Sequence, residues 1–460
     1  MGECTWENEM ILLFDSYDEE SRLWHESIKR AGYDHMAIVI QEDDFLPDGV
    51  FSAYDLILGN CHDKMRRERY FNEIAVPDSW DIHVGNDESG SVFFQREEKG
   101  KIYYVEAEKK RLVKAVDWYD RKGVVRFRDH YNRYGDLCAR TVYDNQGKPM
   151  SKTWLSHQGQ EIIVENLVSG DIILNDEGQE VLFQKKRDVI IYYFIKFGFA
   201  EKRILFNSLS TPLFILNGLP GTEEKRDMLI WQGAIGDEIP GNMQWILNGG
   251  SGRIGKIIVQ RADTYDKLIQ LGAKKEMLYK LGFLYPFKKE NRHKPEALIC
   301  TPFDKIEHGR ELVEALPEMH FHIAAPTAMS PLLTDLGKYR NVSLYPAVAA
   351  DILEKLYQDC DYYFDINYYW EFASADYRAF LHNHLILAFE ETVHERSYVA
   401  GEHIYPITEF EVMKADIRTI MSDDAVMEWH LDRQHKQAMA EDEERYRKIL
   451  KGHNAAIPIS

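Results

Sequence analysis

The sequence predicts an α/β protein of two Rossmann-like, doubly wound domains in tandem, with an antiparallel β-meander inserted into the first. Three observations predict it. Short apolar runs alternate with helical segments from residue 10 and again after residue 190. A second series of the same kind begins near residue 295. Between Lys109 and Gln184 that rhythm gives way to glycine turns at nearly constant spacing. A sheet that opens at residue 10 and resumes after 190 makes the meander an insertion.

In the first domain, MILLF (10–14) reads as a buried strand. Ser16 to Arg30 follow as a helix, with Leu23, Trp24 and Ile28 on one side and Gly32 as the stop. MAIVI (36–40) is a second strand and YDLILGN (54–60) a weaker third. The stretch 62–110 is polar, carries Arg66, Arg67 and Arg69, and reads as a lead-in. In the insertion, glycines fall at 123, 135, 147, 159, 170 and 178, each in a polar turn such as DRKG, NRYG or DNQG. Glycine supplies the positive φ of such turns at little steric cost. Between them lie runs such as VVRFRDHY and EIIVENL, rich in β-branched and aromatic residues. The alternation Val125-Arg126-Phe127-Arg128 predicts one apolar face and one charged, wet face, or a face free for a partner. Beyond the insertion a helix covers about 187–198, RILFNS (203–208) and LFILNGL (213–219) read as strand ends, and MLIWQGA (228–234) as a strand.

The second domain contributes strands at ALICTPF (297–303), HFHIAAP (320–326), VSLYP (342–346), DYYFDIN (361–367) and LILAFEE (385–391). Helices over 308–316, 349–360 and 373–383 separate them. From Ile407 to Lys451 the chain reads as helical and densely charged, a solvated face with no further role. The expected boundaries are 1–65 and 190–290 for the first domain, 66–189 for the insertion, 291–425 for the second domain and 426–460 for the charged tail. Two such domains leave a cleft between the carboxyl ends of their strands.

Composition narrows the function. A formal charge of −20 over 460 residues disfavours nucleic acid, whose phosphates are held by excess Lys and Arg. Cys4, Cys61, Cys138, Cys300 and Cys360 are scattered, odd in number and never spaced CxxC, which points to reduced thiols rather than a disulfide scaffold or zinc site. No basic-then-apolar leader and no run of membrane-spanning length is seen, so a soluble, intracellular chain is expected. Aromatic residues at 12% suit extended contact surfaces.

Several motifs dissolve on inspection. GGSGRIGK (249–256) matches G-x-G-x-x-G through Gly250, Gly252 and Gly255, yet a strand-like KIIVQ follows where a phosphate loop needs a helix N-terminus. His320 with His322, and His382 with His384, lack a third ligand at metal spacing and read as members of polar networks. No metal and no cofactor is expected.

The segment 364–389 resembles the donor-sugar segment of retaining two-domain glycosyltransferases of the GT-B class, which implies a GT-B-like architecture. Active members carry two glutamates with seven residues between them, one at the transferred sugar and one at the ribose. Here Glu371 fills the first place and Ala379 the second. Those enzymes also clamp the diphosphate with an Arg and a Lys, because two phosphates need paired cations. The corresponding loop, TPFDKIEHG (301–309), offers Lys305 as its one certain cation.

Longer segments carry a closer resemblance. FLPDGVFSAY (45–54), RYFNEIAVPDSWDI (69–82), RLVKAVDWYDRKGVVRFRDHYNRYG (111–135), IIVENLVSGDIILNDEG (162–178) and WQGAIGDEIPGNMQ (231–244) are similar to the GtfB family. That family is the stabilising subunit of a bacterial complex that adds N-acetylglucosamine to Ser and Thr of serine-rich-repeat adhesins. The resemblance implies a non-catalytic chain that binds the unfolded adhesin polypeptide and pairs with a catalytic glycosyltransferase subunit, in a 2:2 assembly, through the inserted sheets. It also implies peripheral association with the inner face of the cell membrane, near an accessory secretion system. The competing readings are a self-sufficient retaining transferase using UDP-N-acetylglucosamine, with Glu371 at the donor sugar, and a scaffold with a vestigial cleft.

An acceptor rich in Ser and Thr calls for amides, aromatic faces and backbone groups. The candidates at expected strand ends are Trp231, Gln232, Asn242 and Gln244 in the first domain, and Asn367, Trp370 and Glu371 in the second.

Overall fold

A computed structural model describes residues 9–42, 45–59, 66–85, 88–105 and 110–451. The chain forms two compact units divided between Lys280 and Leu281, and returns to the first at Ile449.

The first unit is organised on an all-parallel sheet of seven strands. Their spatial order is Leu278–Lys280, Ile254–Val259, Asp227–Trp231, Arg203–Phe206, Met10–Phe14, His35–Val39 and Val50–Ser52. Strands buried on both faces need continuous apolar runs, and MILLF is buried at every position. Helices Glu19–Arg30, Lys186–Lys196, Thr211–Gly218, Gly241–Leu247 and Ala262–Gln270 connect or follow these strands. Asp18 caps the first helix, its side chain accepting from the Ser21 amide at 2.8 Å. At the amino ends of strands Asp227–Trp231 and Ile254–Val259 lies a buried ion pair: the Arg253 guanidinium donates to Asp227 at 2.6 Å, and Asp227 also accepts from the Ile204 amide at 2.9 Å.

The insertion is a ten-stranded antiparallel meander, with neighbours in chain order from Asp81–Val84 to Gln179–Phe183. The turn glycines at 123, 135, 147, 159, 170 and 178 all have positive φ. One face of its later strands packs on the parallel domain, where Trp154 stacks on Tyr54 at 5.0 Å beside Ile163, Leu174, Val189 and Tyr193. The opposite face of its earlier strands is covered by Ile74 and its neighbours, against Val92, Ile102 and Val116.

The second unit carries a six-stranded parallel sheet in the order Val342–Tyr345, His320–Ala324, Glu296–Cys300, Tyr362–Asp365, Leu385–Phe389 and Ile404–Tyr405. Its core joins Phe321, Phe364, Leu387 and Phe389 to Met413, Ile417 and Ile420 of helix Phe410–Ser422.

Five expectations change. LFILNGL is not a strand end but helix Thr211–Gly218, because Pro212 presets the first turn and a short apolar run does not by itself distinguish the two. YDLILGN is helix Ala53–Ile57, started by a Ser52–Asp55 capping box; Asn60 lies outside the described residues. The meander begins not near 109 but at Asp81, since strands Asp81–Val84, Ser89–Phe94 and Glu97–Tyr104 have polar outward positions that mask their alternation. The Val125–Arg128 alternation is real, but its apolar face, covered further along the strand at Tyr131, is open at Phe127. Phe127 is 43% exposed, whereas Arg128 turns to the other side and pairs with buried Asp117 at 2.6 Å. Finally, the charged tail is not simply solvated. Gln434 is buried and bridges the Ile386 amide and the His384 carbonyl, and Tyr446 and Leu450 are fully buried.

Cys138, Cys300 and Cys360 are buried thiols; Cys4 and Cys61 lie outside the described residues. Replacing Asp227 by Ala strands the Arg253 charge and should cost about 3–5 kcal/mol, read by chemical denaturation. Replacing both partners by Leu and Met should recover most of that loss.

Candidate functional site

In an open parallel sheet, ligands bind beyond the carboxyl ends of the strands where the strand order reverses. In the second unit that point lies between Glu296–Cys300 and Tyr362–Asp365. The loops leaving these strands are laced together: the Glu307 amide donates to the Ile366 carbonyl at 2.8 Å, and Ile306 bridges Asn367. Asn367 is buried and its side-chain amide donates to the carbonyls of Tyr368 and Trp370, both at 3.4 Å, so it braces the loop rather than facing a ligand. Trp370 and Tyr369 lean on Phe303 at 4.2 and 4.8 Å between ring centres. They nevertheless remain 63% and 73% exposed. Tyr369, Ala373 and Ser374 all hold positive φ. Such conformations cost about 1–3 kcal/mol each and gather at binding loops.

The residues at which the resemblance expects donor chemistry are engaged otherwise. Lys305 sits 3.7 Å over the ring of Tyr368, whose hydroxyl donates to Glu307, so the loop's lysine is already committed to an aromatic face. Ala379 is fully buried in a cluster with Tyr357, Phe380 and Leu381, which leaves core packing where a second carboxylate would stand. Glu371 is turned inward, accepting from the Asp376 amide at 2.7 Å, and burial raises its pKa, reinforced by Asp365. Burial first, then the charges of Asp365 and Glu371, hold the Asp376 carboxyl well above the usual range.

The first unit's order reverses between Met10–Phe14 and Arg203–Phe206. There the Asp15 amide donates to the Asn207 side chain at 2.9 Å, and Ser208 donates to the Asp15 carboxylate at 3.0 Å. Asn207 contacts Gln232 at 3.4 Å. Gln232 is nearly buried, and its Nε2 donor has no hydrogen-bond partner. Trp231 ends strand Asp227–Trp231 and packs on the core, its buried Nε1 also without a partner. Asn242 and Gln244 lie on helix Gly241–Leu247, Asn242 spending its amide on the Leu209 carbonyl at 2.9 Å and Gln244 reaching Asn248 at 3.4 Å. Sequence reasoning missed Asp15, Asn207 and Ser208. The signal was the shared strand ending, Phe14-Asp15-Ser16 and Phe206-Asn207-Ser208, on two strands that become neighbours.

The two histidine pairs are engaged elsewhere. His320 bonds Ser343, His322 bonds Glu296 and Tyr345, His382 bonds Glu354, and His384 bonds the Tyr357 carbonyl. Arg66 pairs with Asp136 and Arg67 with Glu73, while Arg69 donates to the Gly135 carbonyl.

Four family descriptions match consecutive parts of the chain: GtfB N-terminal domain over residues 11–56, GtfB middle domain over 80–184, GtfB third domain over 186–271, and GftB/GlyA-F C-terminal domain over 297–434. The "UDP-N-acetylglucosamine--peptide N-acetylglucosaminyltransferase stabilizing protein GtfB" of Streptococcus agalactiae is 38% identical over 97% of this chain and 100% of its own length. The chain belongs to the GtfB family. A GtfB of the same description from Streptococcus pneumoniae is 37% identical, over 96% of this chain and 99% of its own. A chain of a crystallised GtfA/B complex bound to UDP and GlcNAc superposes with a TM-score of 0.76 at 35% identity, covering 96% of this chain and 99% of that one. The GtfB names place this chain with the stabilising proteins of the transferase and not with its catalytic subunit. The fold is accordingly GT-B-like, two doubly wound domains with an antiparallel insertion.

With Lys305 committed and Ala379 in the core, this chain should bind UDP-N-acetylglucosamine poorly. Isothermal calorimetry of the chain alone should show no micromolar binding; saturable binding in that range would restore the transferase reading.

Proposed function

We propose that this chain holds an unfolded Ser- and Thr-rich adhesin polypeptide for a catalytic N-acetylglucosaminyltransferase subunit, which it also stabilises. The observation that carries the reading is the pairing of a transferase frame with a switch point stripped of donor chemistry and floored by exposed aromatics. A polypeptide of small polar residues is recognised through its backbone and through flat contact surfaces. Gln232, with a nearly buried and unpaired amide donor, suits a backbone carbonyl. Trp370 suits the chain's apolar faces. Trp231, Asn242, Gln244, Asn367 and Glu371 then act mainly by shaping the loops and strand ends around these two.

The catalytic subunit is proposed to dock on the open face of the meander. On that face Val164, Ile173 and Leu182 stand in one cross-strand row, with Ile173 42% and Leu182 65% exposed. Leu167 and Val168 extend the apolar surface at the neighbouring turn. A solvated sheet face carrying β-branched and aliphatic residues in register is a contact surface in waiting. A 2:2 assembly and attachment to the inner membrane face are part of the proposal. Attachment would use surface contact, since no helix among the described residues is long and apolar enough to cross a membrane.

One pull-down with two baits tests both halves. Gln232→Ala with Trp370→Ala should lose the unglycosylated adhesin segment and keep the catalytic subunit. Ile173→Asp with Leu182→Asp should do the reverse, with thermal unfolding unchanged in both. Point changes are used because deleting the meander would uncover Tyr54 and Tyr193. Retention of both baits by both variants would overturn the assignments.

A further inference from the structure

The loop that presents Trp370 is anchored at both ends by buried acids. Asp365 ends strand Tyr362–Asp365 and Asp376 lies in the first turn of helix Ala375–Leu381; both are fully buried. The Asp365 carboxylate accepts from the backbone amide of His394 at 2.6 Å and from its ring Nδ1 at 2.5 Å. The Oδ2 of Asp376 accepts from the Glu395 amide at 3.1 Å, but its Oδ1 has no hydrogen-bond partner. One donor atom from each of Asp365, Asp376 and His394 lies within 4.8 Å of the other two. Glu371 adds a third carboxyl whose charge acts on Asp376. Burying two facing carboxyls costs several kcal/mol unless a proton or a cation stands between them, and Asp376 Oδ1, which meets no protein donor, faces that gap beside Asp365.

We propose that Asp365, Asp376 and His394 form a binding site for a divalent transition-metal ion. Two carboxylate oxygens and one imidazole nitrogen suit Zn²⁺ or Mn²⁺ better than Ca²⁺, which takes six to eight oxygens. Ligand distances of about 2.0–2.2 Å put the donors of a tetrahedral ion roughly 3.3–3.6 Å apart, so the Asp365–His394 pair, now at 2.5 Å, opens and any donor pair near the 4.8 Å limit closes by about an ångström. The Asp365–His394 side-chain bond opens as the ion enters, while the backbone amides of His394 and Glu395 go on orienting the two carboxylates. The ion would join a strand end, a helix start and the loop after Leu385–Phe389, and so lock the strained turn that holds Tyr369 and Trp370. This site stands whether or not that turn contacts an acceptor.

The test uses the full chain after chelator treatment and dialysis, titrated separately with ZnCl₂ and MnCl₂ by calorimetry and followed by thermal unfolding. The expected result is one ion per chain and a melting temperature that rises with ion concentration. Asp376→Asn keeps the shape and gives Asp365 an amide donor, so it should fold without metal as well as the stripped wild type. It should also weaken ion binding by about 100-fold or more. His394→Gln should weaken binding likewise. Two outcomes overturn the proposal: the stripped wild type binds neither ion, which would leave a proton shared between Asp365 and Asp376, or the ion binds as tightly after Asp376→Asn.

Discussion

The pairing that the rest of the first domain depends on is between strands Met10–Phe14 and Arg203–Phe206. Four registered positions, from Met10 with Arg203 to Leu13 with Phe206, join segments separated by the whole insertion. Loop-closure entropy grows only logarithmically with length, so a long excursion is tolerated if it folds on its own contacts. The meander does so, since each of its strands pairs with the next one in the chain. The pairing then sets Asp15 beside Asn207 and Ser208, residues 193 positions apart in the case of Asp15 and Ser208, at the point where the strand order reverses. The meander is held to the same domain by Trp154 on Tyr54, with Lys152 and Lys186 over the indole ring and both lysines paired to Glu42.

Much of this was legible in the residues. Buried strands such as MILLF and LILAF announce themselves as continuous apolar runs, and the glycine turns mark the meander's hairpins. Short segments were harder. LFILNGL and YDLILGN have the composition of strands, and only Pro212 and the Ser52–Asp55 box identify the helices. The strands over 81–104 were hidden because their burial alternates with Ser, Lys and Glu on the outside. Which sheet face is covered was not legible at all. It depends on where helices Ala53–Ile57 and Lys186–Lys196 pack, and so Phe127 ended on the open side.

The candidate site shows the same division. Absent chemistry could be read directly, since an alanine at 379 is visible in the sequence. Roles within the loops could not: Asn367 and Asn242 look like ligand amides in sequence but spend their donors on neighbouring carbonyls. Glu371 looks like a donor-sugar contact but accepts from the Asp376 amide. The groups left over, Gln232 with its unpaired amide and the exposed Tyr369 and Trp370, emerge only once the strands are aligned.

On the proposed function, a chain with Lys305 held over Tyr368 and Ala379 in the core should hold an acceptor but not transfer to it. The direct test is incorporation of labelled N-acetylglucosamine from UDP-N-acetylglucosamine into a Ser- and Thr-rich adhesin polypeptide, by the purified chain, by the catalytic subunit, and by both together. No incorporation by this chain alone, and more by the pair than by the catalytic subunit alone, is the result expected. Incorporation by this chain alone would contradict the account.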